Sequence, residues 1–207
     1  MNKGLLIVDM QNDFMSKGAL GVPGAEELIP LINQLVKKFS LVVASQDWHP
    51  LDHVSFAKNH PGKKVGDVIS VKHQDQVLWP VHCVRQTKGA QLVTELHKES
   101  IACYFYKGTD THIDGYSAFF DNAHVKSTGL GDYLKNRHIK EIFLAGVATD
   151  YCVLHSTLDA IELGFCVFVI ADACRAINLH RGDEERAFVL MREKGAKIVN
   201  AYDVLKF

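Results

Sequence analysis

Residues 142–152 read Ile142-Phe143-Leu144-Ala145-Gly146-Val147-Ala148-Thr149-Asp150-Tyr151-Cys152. The first four are apolar with no alternation, as in a strand covered on both faces. A short turn follows, and then Val153, Leu154, Leu158 and Ile161 repeat at helical spacing until Gly164. A strand that hands over to a helix in this way is half of a βαβ unit. It also places a cysteine where the helix begins.

The same grammar recurs on either side. Apolar runs at Leu5–Asp9, Leu41–Ser45, Ala102–Lys107, Cys166–Ala171 and Lys197–Asn200 read as further buried strands. Leu28, Ile32, Leu35 and Val36 form one helical stripe, with Pro30 early enough to sit in the first turns, and Leu130 and Leu134 suggest another. Asp183-Glu184-Glu185 opens a last helix with acids at its positive end, and Phe188, Val189 and Met191 precede Gly195. The alternation predicts an α/β protein of three layers, α/β/α, around a central, mostly parallel six-stranded sheet of Rossmann-like type. No convincing boundary divides the 207 residues, so one domain is expected, with a long loop region at about 47–82. That region is polar, rich in His, Gly and Pro, and poor in periodicity; a loop so long in a compact domain is a functional candidate.

In open α/β sheets, sites form at the carboxyl ends of the strands. Asp9 ends the first strand, Asp47 and His49 follow the second, Lys107 ends the third and Cys152 follows the fourth. The topology would gather them at one edge. A thiolate is a strong nucleophile when a helix end and an ammonium stabilise it. Lys107 can supply the ammonium, Asp9 can take the thiol proton, and backbone N–H groups of the turn and of Cys152 can hold an oxyanion. The plain alternative is that Cys152 is a small buried hydrophobe, Asp9 a turn residue and Lys107 solvated. Cys83, Cys103, Cys166 and Cys174 read as core or structural positions.

Asp47-Trp48-His49, with the later His82, offers one carboxylate and two imidazoles, a donor set for a borderline divalent metal. The alternative is a hydrogen-bonded histidine cluster. His53 would join or support the shell, whereas His60 and His73 are poorer candidates. Phe14, Trp79 and Tyr116 stand near these points and would form a flat slot for an aromatic ring, or simply core.

Several function classes are disfavoured. Formal net charge is −1, with no Lys/Arg-rich block to meet a nucleic acid. No apolar run reaches membrane-spanning length, and Met1-Asn2-Lys3-Gly4 enters Leu5 without signal-peptide architecture. Five cysteines without close pairs do not form a disulfide framework, so a reducing cytoplasm is the expected compartment. Gly129-x-Gly131 lacks the dinucleotide-binding fingerprint.

Six segments then carry a family resemblance. Val8-Asp9-Met10-Gln11-Asn12-Asp13-Phe14, Asp47-Trp48-His49-Pro50, Trp79-Pro80-Val81-His82-Cys83, Tyr106-Lys107-Gly108, Asp114-Gly115-Tyr116-Ser117-Ala118-Phe119 and Gly146–Val153 occur in the order found in nicotinamidases, a branch of the isochorismatase-like cysteine hydrolases. The chain resembles that branch over nearly its whole length. The resemblance implies a catalytic triad of Asp9, Lys107 and Cys152. It implies one divalent metal, zinc first and iron or manganese otherwise, on Asp47, His49 and His82. It implies a cis peptide bond at Val147-Ala148 and an oxyanion hole at Ala148 and Cys152. It sets Phe14, Trp79, Tyr116 and Val147 around a small substrate, nicotinamide, hydrolysed to nicotinate and ammonia in NAD salvage; pyrazinamide is a second expected substrate. A homo-oligomer would fit such an enzyme. One departure stands out: Arg85-Gln86-Thr87-Lys88-Gly89-Ala90 carries Gln86 where the commoner form has glycine. A different amidase on this scaffold, for carbamoyl or ureido substrates, would keep the triad without needing the metal ligands. A silent binding module would have no use for Asp9, Lys107 and Cys152 together.

Overall fold

Strand β1 (Lys3–Val8) runs through the middle of the molecule, and Leu5, Leu6, Ile7 and Val8 are all fully buried. Its side chains alternate between two cores. Leu5 and Ile7 join one cluster, Leu6 and Val8 the other. This two-sided burial explains the unbroken apolar run. The computed structural model describes residues 2–206.

Five further strands complete the sheet: β2 (Leu41–Asp47), β5 (Cys103–Lys107), β6 (Glu141–Val147), β7 (Cys166–Arg175) and β8 (Lys197–Val199). Their order is β5-β2-β1-β6-β7-β8, and every neighbouring pair is parallel. The first cluster packs helix α1 (Leu28–Leu35) through Leu28, Ile32 and Leu35, and α5 (Ala201–Leu205) through Ala201. The second packs α2 (Leu130–Asn136), α3 (Leu154–Glu162) and α4 (Asp183–Glu193) through Leu130, Leu134, Ala160, Ala187 and Met191. Helices on both faces make the three-layer architecture that the alternating pattern predicts. Among the described residues no helix is long and apolar enough to cross a membrane.

Four differences from the sequence reading have physical causes. Asp47 is the last residue of β2 rather than part of the following loop, because the pairing with β5 continues as far as Asp47↔Lys107. Strand β7 extends to Arg175 past a register shift against Leu144 and Gly146, and polar Asp172 masks that extension in the sequence. The loop region contains a hairpin, β3 (Val68–Val71) and β4 (Gln74–Val77), whose turn residues Lys72 and His73 both have positive φ. A two-residue turn with that backbone usually announces itself as Asn-Gly or Asp-Gly, and Lys-His gives no such signal. Finally, Cys166 is exposed and does not serve as core, while half-buried Cys103 packs against the second cluster; Cys83 and Cys174 are buried, and all five thiols are free.

Candidate active site

The motif after β1 works as a clamp on its neighbours. Gln11 is fully buried, and its amide donates to the carbonyls of Asp47 and Ala90, each at 2.8 Å, while its oxygen accepts from Asp47 N–H at 2.8 Å. Asp13 Oδ2 accepts from Cys83 N–H at 2.7 Å, and Asn12 donates to the carbonyls of Lys88 and Gln91. These three consecutive residues thereby tie the end of β2 to the segment 83–91.

Within that frame Lys107, at the end of β5, is fully enclosed, and its ammonium is the hub of the site. Nζ lies 2.9 Å from Asp9 Oδ2 and 3.2 Å from Cys152 Sγ, and it also donates to Asp47 Oδ1 and to Gly115 O. Asp9, just past β1 with φ of 50°, accepts from Ser45 Oγ through Oδ1 at 2.7 Å. Its Oδ2 is near the ammonium but receives no aligned hydrogen bond, which leaves it open to the thiol. Burial raises the Asp9 carboxyl, against the pull of Lys107. Burial also pushes the Cys152 thiol well up, and Lys107 only partly opposes this. For Lys107, burial is outweighed by Asp47 and Asp9, and the ammonium is held well above its usual value. Burial thus favours the thiol form of Cys152 and makes the Asp9 carboxylate beside it more basic. Cys152 sits in a π-helical turn, Thr149–Val153, immediately before α3, and the Val147–Ala148 peptide bond is cis.

Beside Lys107, three ligand atoms converge. Asp47, His49 and His82 offer one atom each, all within 4.8 Å of one another, and all three residues are buried. His49 Nδ1 lies 2.9 Å from Gly108 O and His82 Nδ1 lies 2.8 Å from Pro80 O. A carbonyl can only accept, so each Nδ1 carries a proton, and once the rings are neutral each Nε2 presents a lone pair. Without a metal, burial would lower the His49 imidazole, but Asp47 raises it. Both Nε2 atoms face Asp47 Oδ2, at 3.5 and 3.6 Å. Burial would raise Asp47, but Lys107 and His49 hold its carboxyl well below the usual range, so it is an anion ready to bind a cation. One carboxylate with two oriented imidazoles fits a divalent metal of the zinc, iron or manganese kind.

A cleft opens onto these groups, walled by Phe14, Trp79, Tyr116 and Tyr151 and floored by Cys152 and Ala148. Trp79 meets Tyr151 edge-on at 4.9 Å, and Phe14 meets His82 at 5.6 Å. Its lining combines these aromatic rings with Asp47, His49, His82 and Asp114, the mix of apolar surface and a few convergent polar groups usual in small-molecule sites.

A profile of the isochorismatase domain matches residues 3–203. The chain belongs to the isochorismatase family. Among relatives of this isochorismatase-family chain, the nicotinamidase of Escherichia coli (strain K12) is 42% identical over 211 residues, covering 97% of this chain and 96% of its own. The solved structure of a nicotinamidase/pyrazinamidase from Acinetobacter baumanii superposes with a TM-score of 0.95 at 43% identity, covering 98% of each chain. A pyrazinamidase of Pyrococcus horikoshii, solved in complex with zinc, gives 0.79 at 36% identity over 97% of this chain and 99% of that one.

For this family member, the structure brings Asp9, Lys107 and Cys152 into one cluster and Asp47, His49 and His82 into an adjoining one. Phe14, Trp79 and Tyr116 all line the cleft. Val147 does not: its side chain is fully buried in the core with Ala145, and Ala148, Tyr151 and Ile177 line the cleft in its place. His53 stands outside the Asp47 group. Its ring lies against His49 at 4.2 Å, its Nδ1 meets Ser55 Oγ at 2.7 Å, and burial brings its pKa down to about 4. It backs the shell, 3.9 Å from Asp114. His60 is tied to Val54 O and is structural. Tyr151 and Ile177 were not legible as wall residues: the first sits in a motif dominated by its neighbour Cys152, and the second is an isolated apolar residue in a loop. Gln86 has φ of 66°, which accounts for the commoner glycine at that position.

Proposed function

We propose that this chain is a nicotinamidase, hydrolysing nicotinamide to nicotinate and ammonia and so returning the pyridine ring to NAD salvage. The observation that carries this reading is Lys107 Nζ between Asp9 and Cys152, within 3.2 Å of each, directly beside the Asp47, His49 and His82 group. A carboxamide hydrolase needs the first arrangement, and a pyridine-recognising one has use for the second.

In this scheme the substrate ring lies between Phe14, Trp79 and Tyr116. Cys152 gives its proton to Asp9 Oδ2 as sulfur attacks the carboxamide carbon, and Lys107 offsets the charge that develops on the pair. The N–H groups of Ala148 and Cys152 receive the oxyanion. Collapse breaks the C–N bond, Asp9 returns the proton to the leaving nitrogen, and ammonia departs. Water then adds to the thioester, Asp9 takes its proton, and nicotinate leaves with the thiol restored. Asp47, His49 and His82 would hold a divalent metal, which when bound supplies a Lewis-acid anchor for the ring nitrogen. Pyrazinamide carries the same carboxamide on a six-membered aza-aromatic ring and suits the same steps.

Ammonia release from nicotinamide tests the reading, with wild type, Cys152→Ala and a chelator-stripped sample in parallel. Release that vanishes in Cys152→Ala, with metal retained, and that falls on stripping supports it. Absence of release from metal-loaded wild type overturns it and moves the assay to carbamoyl amides.

A further inference from the structure

The β3–β4 hairpin is exposed or half-buried along both strands except at Gln76, whose side chain is enclosed at 3% exposure. A glutamine is costly to bury unless its amide is satisfied. Here Nε2 reaches three acceptors: Asp114 Oδ2 at 2.9 Å, Tyr116 Oη at 3.1 Å and Val77 O at 2.8 Å. Two of these belong to the cleft lining, and the Tyr116 hydroxyl also accepts from Trp79 Nε1 at 3.2 Å. The wall residues Trp79 and Tyr116 are thus joined at one oxygen, and Gln76 is the second donor to it. Nothing else in the hairpin reaches inward so far.

We propose that Gln76 is a positioning residue, which fastens the hairpin to the cleft and fixes how closely Tyr116 stands to the substrate's ring. It rests on the nicotinamidase reading for the identity of that ring, but its structural content does not. Gln76 acts through Tyr116 and Asp114 and touches no reacting atom. Losing it frees the Tyr116 ring to move away from Trp79, which loosens ring binding and leaves the Cys152, Asp9 and Lys107 chemistry intact. The wall also becomes less discriminating toward ring substituents, because a rigid wall excludes an added methyl group that a mobile one admits.

Gln76→Met tests this, since it keeps length and volume while removing both donors. The expected result is a KM for nicotinamide raised about tenfold with kcat changed less than about threefold, the pattern of lost binding rather than lost chemistry. Discrimination against a ring-methylated nicotinamide should fall at the same time. In a Tyr116→Phe background the Gln76→Met effect on KM should shrink, because the shared hydroxyl is already gone. Backbone hydrogen exchange at residues 114–117 should quicken in Gln76→Met, and this arm reads out whether or not nicotinamide is the substrate. Unchanged exchange, an unchanged KM, or effects of Gln76→Met and Tyr116→Phe that simply add would overturn the proposal. If wild type fails to hydrolyse nicotinamide while exchange in Gln76→Met still quickens, the substrate reading falls and the positioning role of Gln76 stands.

Discussion

Asp47 and Lys107 are register partners at the last residues of β2 and β5, and their side chains meet in a buried ion pair that joins the metal-binding group to the thiol. One carboxylate serves both halves of the site: Oδ1 faces the ammonium and Oδ2 faces the two imidazoles.

Removing the ammonium should therefore damage more than catalysis. Lys107→Met leaves Asp9 and Asp47 buried without their cation, and breaking such a pair typically costs about 3–5 kcal/mol. Denaturant unfolding should show a loss on that scale, with nicotinamide turnover abolished. A variant as stable as wild type would contradict the hub role of Lys107.

Gly108 has φ of +60°, and a Cβ there would stand 2.3 Å from His49 Cε1. Gly108→Ala should displace the ring that Gly108 O orients, lowering metal affinity by about tenfold or more, the range seen when support to a ligating histidine is lost. Metal titration followed by calorimetry checks this, and unaltered affinity would show that the ring can shift without consequence.

Gln11 holds Asp47 through both its N–H and its C=O. Gln11→Leu keeps the bulk but takes the side-chain partner from both the N–H and the C=O of Asp47, while Ala90 O keeps its bond from Gln46, a cost of about 1–3 kcal/mol for each group left unpaired before relaxation. The expected outcome is reduced stability together with weakened metal binding, measured on one preparation.

His155 lies half-buried beside Tyr116, and burial first, then Lys107, brings its pKa down to about 4. The folded value is depressed below the unfolded one of about 6.5, so the unfolded chain binds the proton first. Stability from this group is complete above pH 6.5 and is lost as pH falls toward 4, by at most ~3 kcal/mol and less for its residual exposure. His155→Phe should flatten the acid limb of a stability-versus-pH curve between those values, and an unchanged slope would assign the limb to other groups.

Gln86 occupies a left-handed backbone position, where a side chain is disfavoured by about 1–2 kcal/mol. Gln86→Gly should relieve this while costing part of it back in chain entropy, for a net gain of about 0.5–1 kcal/mol. Thermal unfolding decides the sign.

Much of this was legible before any coordinates. Leu5–Val8 and Ile142–Ala145 are apolar on both faces, and only a doubly covered sheet rewards that pattern. Asp9, Lys107 and Cys152 fall at strand ends, where parallel topology gathers side chains from distant positions. The hairpin was not legible, because Lys72-His73 hides a tight turn and the strands around it are polar. Gln76 was missed for the same reason: a lone glutamine in a hydrophilic segment carries no periodic signal, and its burial is set by Asp114 and Tyr116, some forty residues away. Val147 was misplaced because neighbours in a turn share a motif but not a direction; one side chain enters the core while the next, Ala148, meets the cleft.

The sheet order also imposes a schedule on synthesis. Asp47, His49 and His82 all precede Lys107, and the catalytic sulfur arrives only at position 152, in the turn after β6, after β1 has waited with one side unpaired. A ribosome therefore completes the ligand set and the ammonium well before the nucleophile, so a chain released between residues 108 and 151 carries Asp47, His49, His82 and Lys107 but lacks the sulfur of Cys152.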